Sequence, residues 1–91
     1  MMQLDEIRKQ IDRIDHDIIV LLAERLALMP DVAKYKIENK ISRYQPEREE
    51  KILNKKTKMG EKHNLEKEYV EDIFKRIIEE SHIIQKKIMN E

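Results

Sequence analysis

The first third of the chain alternates apolar and polar positions with a single long rhythm. Apolar residues recur in steps of three and four, at Leu4, Ile7, Ile11, Ile14, Ile18, Leu21, Leu28, Val32 and Tyr35. This spacing is typical of a coiled-coil seam and predicts a helix from about Leu4 to about Lys40. Arg25 occupies the one position of this repeat that is not apolar, and Lys36 lies at the edge of the apolar stripe that the repeat forms on the helix.

Pro30 falls inside this pattern, where proline removes a backbone hydrogen bond and crowds the preceding turn. The phase of the stripe is unbroken from Leu21 to Val32, which favours one long helix bent near Leu26 to Pro30. The alternative is two helices, the second beginning with Pro30 at its first position.

Two further helices are predicted after a loop at residues 42–46. The second, shorter helix runs from Pro46 to about Lys58, and Gly60 is its expected C-terminal cap. Asn64 is the expected N-cap of a third helix, from about Leu65 to about Met89. Its predicted apolar face consists of Val70, Ile73, Phe74, Ile77, Ile78, Ile84 and Ile88.

Composition supports this interpretation. The 91 residues include one glycine and two prolines, too few for the many turns of a sandwich or barrel, so we expect an all-α fold in a single domain over residues 1–91. Charged residues make up 42% and aromatic residues 4%, so the core must be thin and aliphatic. Long helices with so small a core usually complete it by association, and we expect a homo-oligomer.

The charge balance and the N-terminal sequence further restrict the possible classes of protein. Nineteen basic and nineteen acidic residues leave no basic surplus for nucleic acid. The chain has no cysteine, no apolar run long enough to span a bilayer and no apolar signal segment at its start. We therefore expect a soluble, cytoplasmic and complete protein without a membrane partner.

Arg25 and Lys36 are candidates for binding an anion. Eleven residues of helix turn by about 1100°, which brings the two side chains to within about 20° of one direction and about 16 Å apart along the axis. Two long cationic side chains on one face are able to grip one small anion between them. The alternative for an arginine in a seam is a registry device or a side chain that reaches out to solvent.

Other polar residues share apolar surroundings. Ser81 and Gln85 lie four apart on the apolar face of the third helix, and Arg48 and Glu49 open the second. Each has an ordinary explanation, such as close packing for the serine or a solvated helix start for the charged pair. Together, however, those explanations require many buried polar groups in a very thin core.

Arg8 lies 17 residues before Arg25, about 25 Å away along a helix and roughly 100° off in direction. The two arginines cannot share a small ligand within one straight helix. They are able to do so across an antiparallel dimer, in which the start of one long helix lies beside the middle of its partner.

The histidines carry less information. His16, His63 and His82 show no metal-ligand spacing, so surface or capping roles are favoured, and we expect no metal site. The basic stretch NKKTKMGEKH is interpreted as a solvated helix face.

The chain resembles the all-helical chorismate mutases over nearly its whole length. The resemblance rests on LDEIRKQIDRID, LLAER, VAKYK, PEREEKIL and IIEESHIIQ. It implies an intertwined homodimer of three-helix chains, with active sites lined by both chains, that converts chorismate to prephenate in phenylalanine and tyrosine biosynthesis. It implies no cofactor and no metal.

The same resemblance implies a role for each matching residue. Arg25 and the partner's Arg8 are expected to bind the substrate carboxylates, with help from Arg48, and Ser81 to lie beside a carboxylate. Lys36 is expected to reach the ether oxygen and a carboxylate, Gln85 to donate to the ether oxygen, and Glu49 to accept from the ring hydroxyl.

Two departures and two rivals accompany the resemblance. Gln45 stands where many relatives have Asp, which weakens the helix cap and affects the contact expected with the substrate hydroxyl. Pro30 falls where relatives continue a regular helix, which puts the alignment of Arg25 with Lys36 in question. An isochorismate-pyruvate lyase of the same fold, and a non-catalytic helical dimerisation module, are the competing functions.

Overall fold

The protein is all-helical in the computed structural model, which describes residues 2–91. Four helices follow in order: α1 (Leu4–Ala27), α2 (Met29–Glu38), α3 (Pro46–Glu61) and α4 (Lys67–Met89). None of the residues from 2 to 91 forms a β-strand. In the same span, no helix is both long enough and apolar enough to cross a bilayer.

α1 and α2 together form the long helix that the seam predicted, interrupted at Leu28. Pro30 has no backbone N–H, and the regular hydrogen bonding stops one residue before α2. Leu28 keeps right-handed helical angles (φ −82°, ψ −15°), and its carbonyl still accepts from Val32 at 3.1 Å. The structure therefore combines the two alternatives: the helix is divided, with Pro30 in the first turn of α2, but the chain stays helical through the break.

Three helix ends close with a residue in the left-handed conformation. Lys40, Asn64 and Asn90 have φ values of 54°, 61° and 58°. After each of them, the next N–H reaches back five residues, as in a Schellman cap: from Ile41 to Lys36, from Leu65 to Gly60 and from Glu91 to Lys86. The prediction for Asn64 was therefore wrong, because it ends α3 rather than capping α4.

Gly60 was also predicted wrongly as a cap, because it lies inside α3, whose C-cap is Lys62. Its lack of a side chain serves packing instead. A Cβ at this position would lie 2.7 Å from Cγ2 of Val70, so the glycine allows α3 to approach α4 closely. A close contact between two helices, and not a helix end, therefore explains why this position is a glycine.

α4 is the central element of the chain. It packs mainly against α2 and α3, and to a smaller extent against α1. The buried apolar side chains of residues 2–91 are Ala33, Val70 and Ile78. No α1 residue is buried, and the chain is elongated, measuring 57 × 24 × 15 Å along its principal axes.

Candidate active site

One cavity of about 230 Å³ lies where α1, α2, α3 and α4 approach one another. Its polar lining comprises Arg25, Lys36, Arg43, Gln45, Arg48, Glu49, Ser81, His82 and Gln85, and its apolar lining Met29, Val32, Ile52 and Ile78. Every residue singled out from the sequence as a site candidate lines this cavity, except Arg8. Four cationic side chains and one carboxylate give the cavity an excess of positive charge, which suits a small anion.

The break at Leu28 does not separate Arg25 from Lys36. Arg25 comes from the last turn of α1 and Lys36 from the last turn of α2, and both side chains line the same cavity. The alignment that Pro30 put in question is kept because Leu28 retains helical angles.

Arg25 is held by α4. Its Nη1 donates to Oγ of Ser81, and that hydroxyl donates in turn to the carbonyl of Ile77 at 3.0 Å. Ser81 is 4% exposed, so it is a buried and satisfied polar group rather than a small residue that only permits packing. Burial lowers the pKa of Arg25 below its ordinary value by removing water from the guanidinium.

Lys36 orients Gln85. Its Nζ donates to Oε1 of Gln85 at 2.8 Å and to the backbone carbonyl of Arg43 at 2.8 Å. Gln85 is 4% exposed, and its remaining contact is from Nε2 to the sulfur of Met29 at 3.7 Å. Because sulfur is a weak acceptor, the amide N–H groups of Gln85 are available to a better acceptor in the cavity.

Burial is also the main cause of a lowered pKa at Lys36. The guanidinium of Arg43 lowers it further, while the carboxylates of Glu49 and Glu91 act in the opposite direction. A cation that has lost part of its hydration gains more from an incoming anion than a fully solvated one, because the competing water is already gone.

The loop and the first turn of α3 supply the other wall. Gln45 precedes α3 with no side-chain cap, and its carbonyl accepts from the N–H of Glu49 at 3.1 Å. Pro46 starts the helix, which places Arg48 and Glu49 in its first turn. As expected, Gln45 provides no side-chain cap for α3, and the proline sets the start of the helix instead.

Arg8 does not join the others within one chain. It lies on the exposed part of α1 and is outside the cavity lining. Apolar neighbours on that helix are equally uncovered, with Ile7 37%, Ile11 48% and Ile14 48% exposed.

Two polar residues of the cavity, His82 and Arg43, were not among the sequence candidates. His82 was assigned a surface or capping role, and that was wrong: it lines the cavity, and its Nε2 lies 2.9 Å from Oε2 of Glu49. Arg43 had been considered only as part of the loop. The one available signal for His82 was its position three residues before Gln85, near the two polar residues on the apolar face of α4.

No cluster of three or more metal-binding side chains occurs within residues 2–91. The donor set of the cavity is mainly cationic, which suits an anionic ligand rather than a metal ion.

Comparisons with known proteins agree with this geometry. A family described as chorismate mutase type II matches residues 7–86. The chain is 39% identical over 89 residues to the chorismate mutase of Methanocaldococcus jannaschii, covering 98% of this chain and 90% of that protein.

Longer relatives match as well. The chain is 45% identical over 82 residues to the bifunctional chorismate mutase/prephenate dehydratase of Buchnera aphidicola subsp. Acyrthosiphon pisum, covering 90% of this chain and 21% of that protein. It is 34% identical over 82 residues to the T-protein of Haemophilus influenzae, covering 90% of this chain and 22% of that protein. The chain thus spans about a fifth of the length of these relatives.

Proposed function

The chain belongs to the type II chorismate mutase family, and from this premise we propose that it rearranges chorismate to prephenate, without cofactor or metal, in phenylalanine and tyrosine biosynthesis. The observation that carries the proposal is the convergence of Arg25, Lys36, Arg48 and Gln85 on one small cavity. The substrate is a flexible dianion, and the excess of cationic side chains in the cavity is complementary to its negative charge.

The reaction explains why the cavity needs no nucleophile. One C–O bond breaks as one C–C bond forms within a single molecule, so no proton has to move and no covalent intermediate is formed. The protein has to hold a compact, chair-like conformer and to stabilise the negative charge that grows on the ether oxygen.

Arg25 and Arg48 serve as carboxylate-binding groups in this proposal. A guanidinium matches a carboxylate with two parallel hydrogen bonds, which fixes the orientation of the substrate as well as its charge. Ser81 keeps the Arg25 fork in place through its hydroxyl, so the binding geometry is set before the substrate arrives.

Lys36 and Gln85 act on the ether oxygen. The contact from Lys36 Nζ to Gln85 Oε1 forces the amide to present its N–H groups elsewhere, beside Met29. A substrate oxygen replaces the weak sulfur contact and receives both an ammonium and an amide donor. Loss of one such donor in other enzymes costs about 3 to 4 kcal/mol in the transition state.

Glu49 accepts a hydrogen bond from the ring hydroxyl, with Gln45 beside it in the lining. Because this contact is made equally in the substrate and the transition state, it contributes to binding more than to the chemical step. It also selects for a hydroxylated ring.

A homodimer completes the proposal. The α1 stripe leaves Leu4, Ile11, Ile18 and Leu21 between 48% and 61% exposed, which is a large apolar surface for a chain that folds in water. A second copy laid antiparallel along α1 covers this stripe and brings its Arg8 toward the cavity. A cytoplasmic location remains a prediction from the sequence.

The decisive experiment is to incubate the protein separately with chorismate and with isochorismate. We expect prephenate from the first and no salicylate from the second. Salicylate without prephenate would establish lyase activity. No product from either substrate would favour the non-catalytic dimerisation module.

A matched pair of variants ties the activity to the cavity. Gln85→Ala should lower kcat about 10²- to 10³-fold, because it removes a donor to the ether oxygen. Gln3→Ala changes the same residue type at the start of α1, outside the cavity, and should leave kcat unchanged. Equal activity in the two variants would contradict the role given to Gln85.

A further inference from the structure

His82 stands between two charged residues of the cavity wall. Nη1 of Arg43 lies 2.8 Å from its Nδ1, and Oε2 of Glu49 lies 2.9 Å from its Nε2. The three residues come from the loop before α3, from α4 and from α3. The side chains of His82 and Glu49 are 16% and 26% exposed, so this bridge is shielded from most of the solvent.

The contacts of His82 determine where its proton lies. A guanidinium only donates hydrogen bonds, so Nδ1 of His82 has to accept the one from Arg43. The single proton of the neutral ring is then on Nε2, which donates to Glu49. One neutral tautomer satisfies both contacts, whereas a doubly protonated ring would direct an N–H at the guanidinium.

Arg43 extends the same chain of contacts to the other side of the cavity. Its carbonyl accepts from Lys36 at 2.8 Å, and its Nε pairs with Glu91 at 3.1 Å. The ring of Tyr44 lies beside His82, with 6.3 Å between the ring centroids. The loop that carries Arg43 is thus fastened to α2, to α4 and to the last residue of the chain.

We propose that His82 is a positioning residue: it holds the Glu49 carboxylate in place to receive the ring hydroxyl of the substrate, and Arg43 fixes the tautomer in which it does so. The inference rests on the proposed function for the identity of the substrate. Without the Nε2 donor, the carboxylate at the start of α3 is free to turn toward solvent or toward the neighbouring cations.

Kinetics of His82→Leu and His82→Gln test this role. His82→Leu removes both contacts and should raise KM about five- to tenfold with less than a twofold change in kcat, because the hydroxyl contact is one of uniform binding. Gln keeps an amide donor and acceptor, and His82→Gln should recover part of the loss. His63→Leu makes the same change at an exposed position outside the cavity and is the control.

A double-variant cycle separates positioning from general destabilisation. If His82 acts through Glu49, then His82→Leu should raise KM less than twofold further in a Glu49→Ala background. The inference is overturned by an unchanged KM in His82→Leu, by KM increases that multiply in the double variant, or by equal losses in His82→Leu and His82→Gln.

An NMR measurement keeps this inference distinguishable from the proposed function. The imidazole ¹⁵N shifts of His82 should show a protonated Nε2 and an unprotonated Nδ1, and the Nε2 shift should move in Glu49→Gln. The other tautomer would overturn the inference even in an active enzyme. Absence of prephenate together with the expected shifts would instead count against the proposed function alone.

Discussion

α1 and α4 differ in which residues they expose to solvent: α1 exposes apolar side chains, whereas α4 buries polar ones. On α1, Ile11 and Ile14 are each 48% exposed, whereas on α4 the polar residues Ser81 and Gln85 are each 4% exposed. Every buried polar side-chain atom within residues 2–91 nevertheless has a hydrogen-bond partner. One chain thus builds the walls of the cavity around α4, but it leaves the apolar face of α1 exposed.

The largest expected effect joins these two regions. Arg25→Ala and Arg8→Ala should each lower kcat/KM by about 10³-fold or more, since in the proposed site each removes a guanidinium that binds a substrate carboxylate. The helical circular dichroism and the mass of the proposed dimer, twice 11.1 kDa, should persist in both variants. Arg25→Ala protein that makes prephenate at the parental rate would show that the seam arginine only sets helix register.

Mixing the two inactive variants sharpens the comparison. After subunit exchange, half of the dimers contain one chain of each kind, and each of these has one intact site out of two. The mixture should therefore recover roughly a quarter of the parental activity. If activity stays absent after exchange is verified by mass spectrometry, Arg8 does not act across a dimer.

A smaller effect is expected where the chain packs most closely. Alanine is a better helix former than glycine, which by itself would stabilise Gly60→Ala. The new Cβ would lie 2.7 Å from Cγ2 of Val70, and this overpacking should prevail, so the free energy of unfolding should fall by about 1 to 2 kcal/mol.

Urea unfolding of Gly60→Ala with and without Val70→Ala is the measurement. The cost of Gly60→Ala should shrink in the Val70→Ala background, because the clashing methyl group is gone. A Gly60→Ala protein that is more stable than the parent would mean that the α3–α4 contact is looser than described.

The smallest effect at neutral pH concerns Lys36. Its lowered pKa means that the ammonium is lost at a pH below the ordinary value of 10.5, so kcat/KM should decline on the alkaline side earlier than an exposed lysine would allow. The stability of the fold depends on this group in the opposite direction: deprotonation of Lys36 lowers activity but raises the free energy of unfolding. Because the unfolded chain holds this proton more tightly, the burial cost is fully present below the folded pKa and is relieved as pH rises toward 10.5.

Lys36→Arg provides the control for this profile. An arginine stays charged across the range, so any activity that the variant retains should no longer decline at alkaline pH. An identical alkaline decline in the parent and in Lys36→Arg would assign the titration to another group.

Much of this architecture was predictable because its signals are local. The apolar rhythm indicated the long helix and survived Pro30, since Leu28 remains helical. Asn64 was correctly recognised as marking a helix boundary, but its role and that of Gly60 were predicted wrongly. Either residue type ends a helix well, and the packing of Val70 against Gly60, ten residues away in sequence, decided between them.

The part of the cavity that sequence reasoning missed depends on distant contacts. His82 meets Glu49 across 33 residues and Arg43 across 39, and no periodicity within α4 reveals such partners. Arg25, Lys36, Ser81 and Gln85 were recognisable because each interrupts an apolar stripe. Arg43 lies in a loop without any stripe to interrupt.

The bare face of α1 has a consequence for how the protein acquires its structure. No residue of the 24-residue α1 is buried in its own chain, so this helix gains little stability from tertiary packing within one chain. In the proposed dimer its formation is therefore linked to an encounter between two chains. Refolding then contains a second-order step, and the melting temperature rises with protein concentration, so a dilute sample is less stable than a concentrated one.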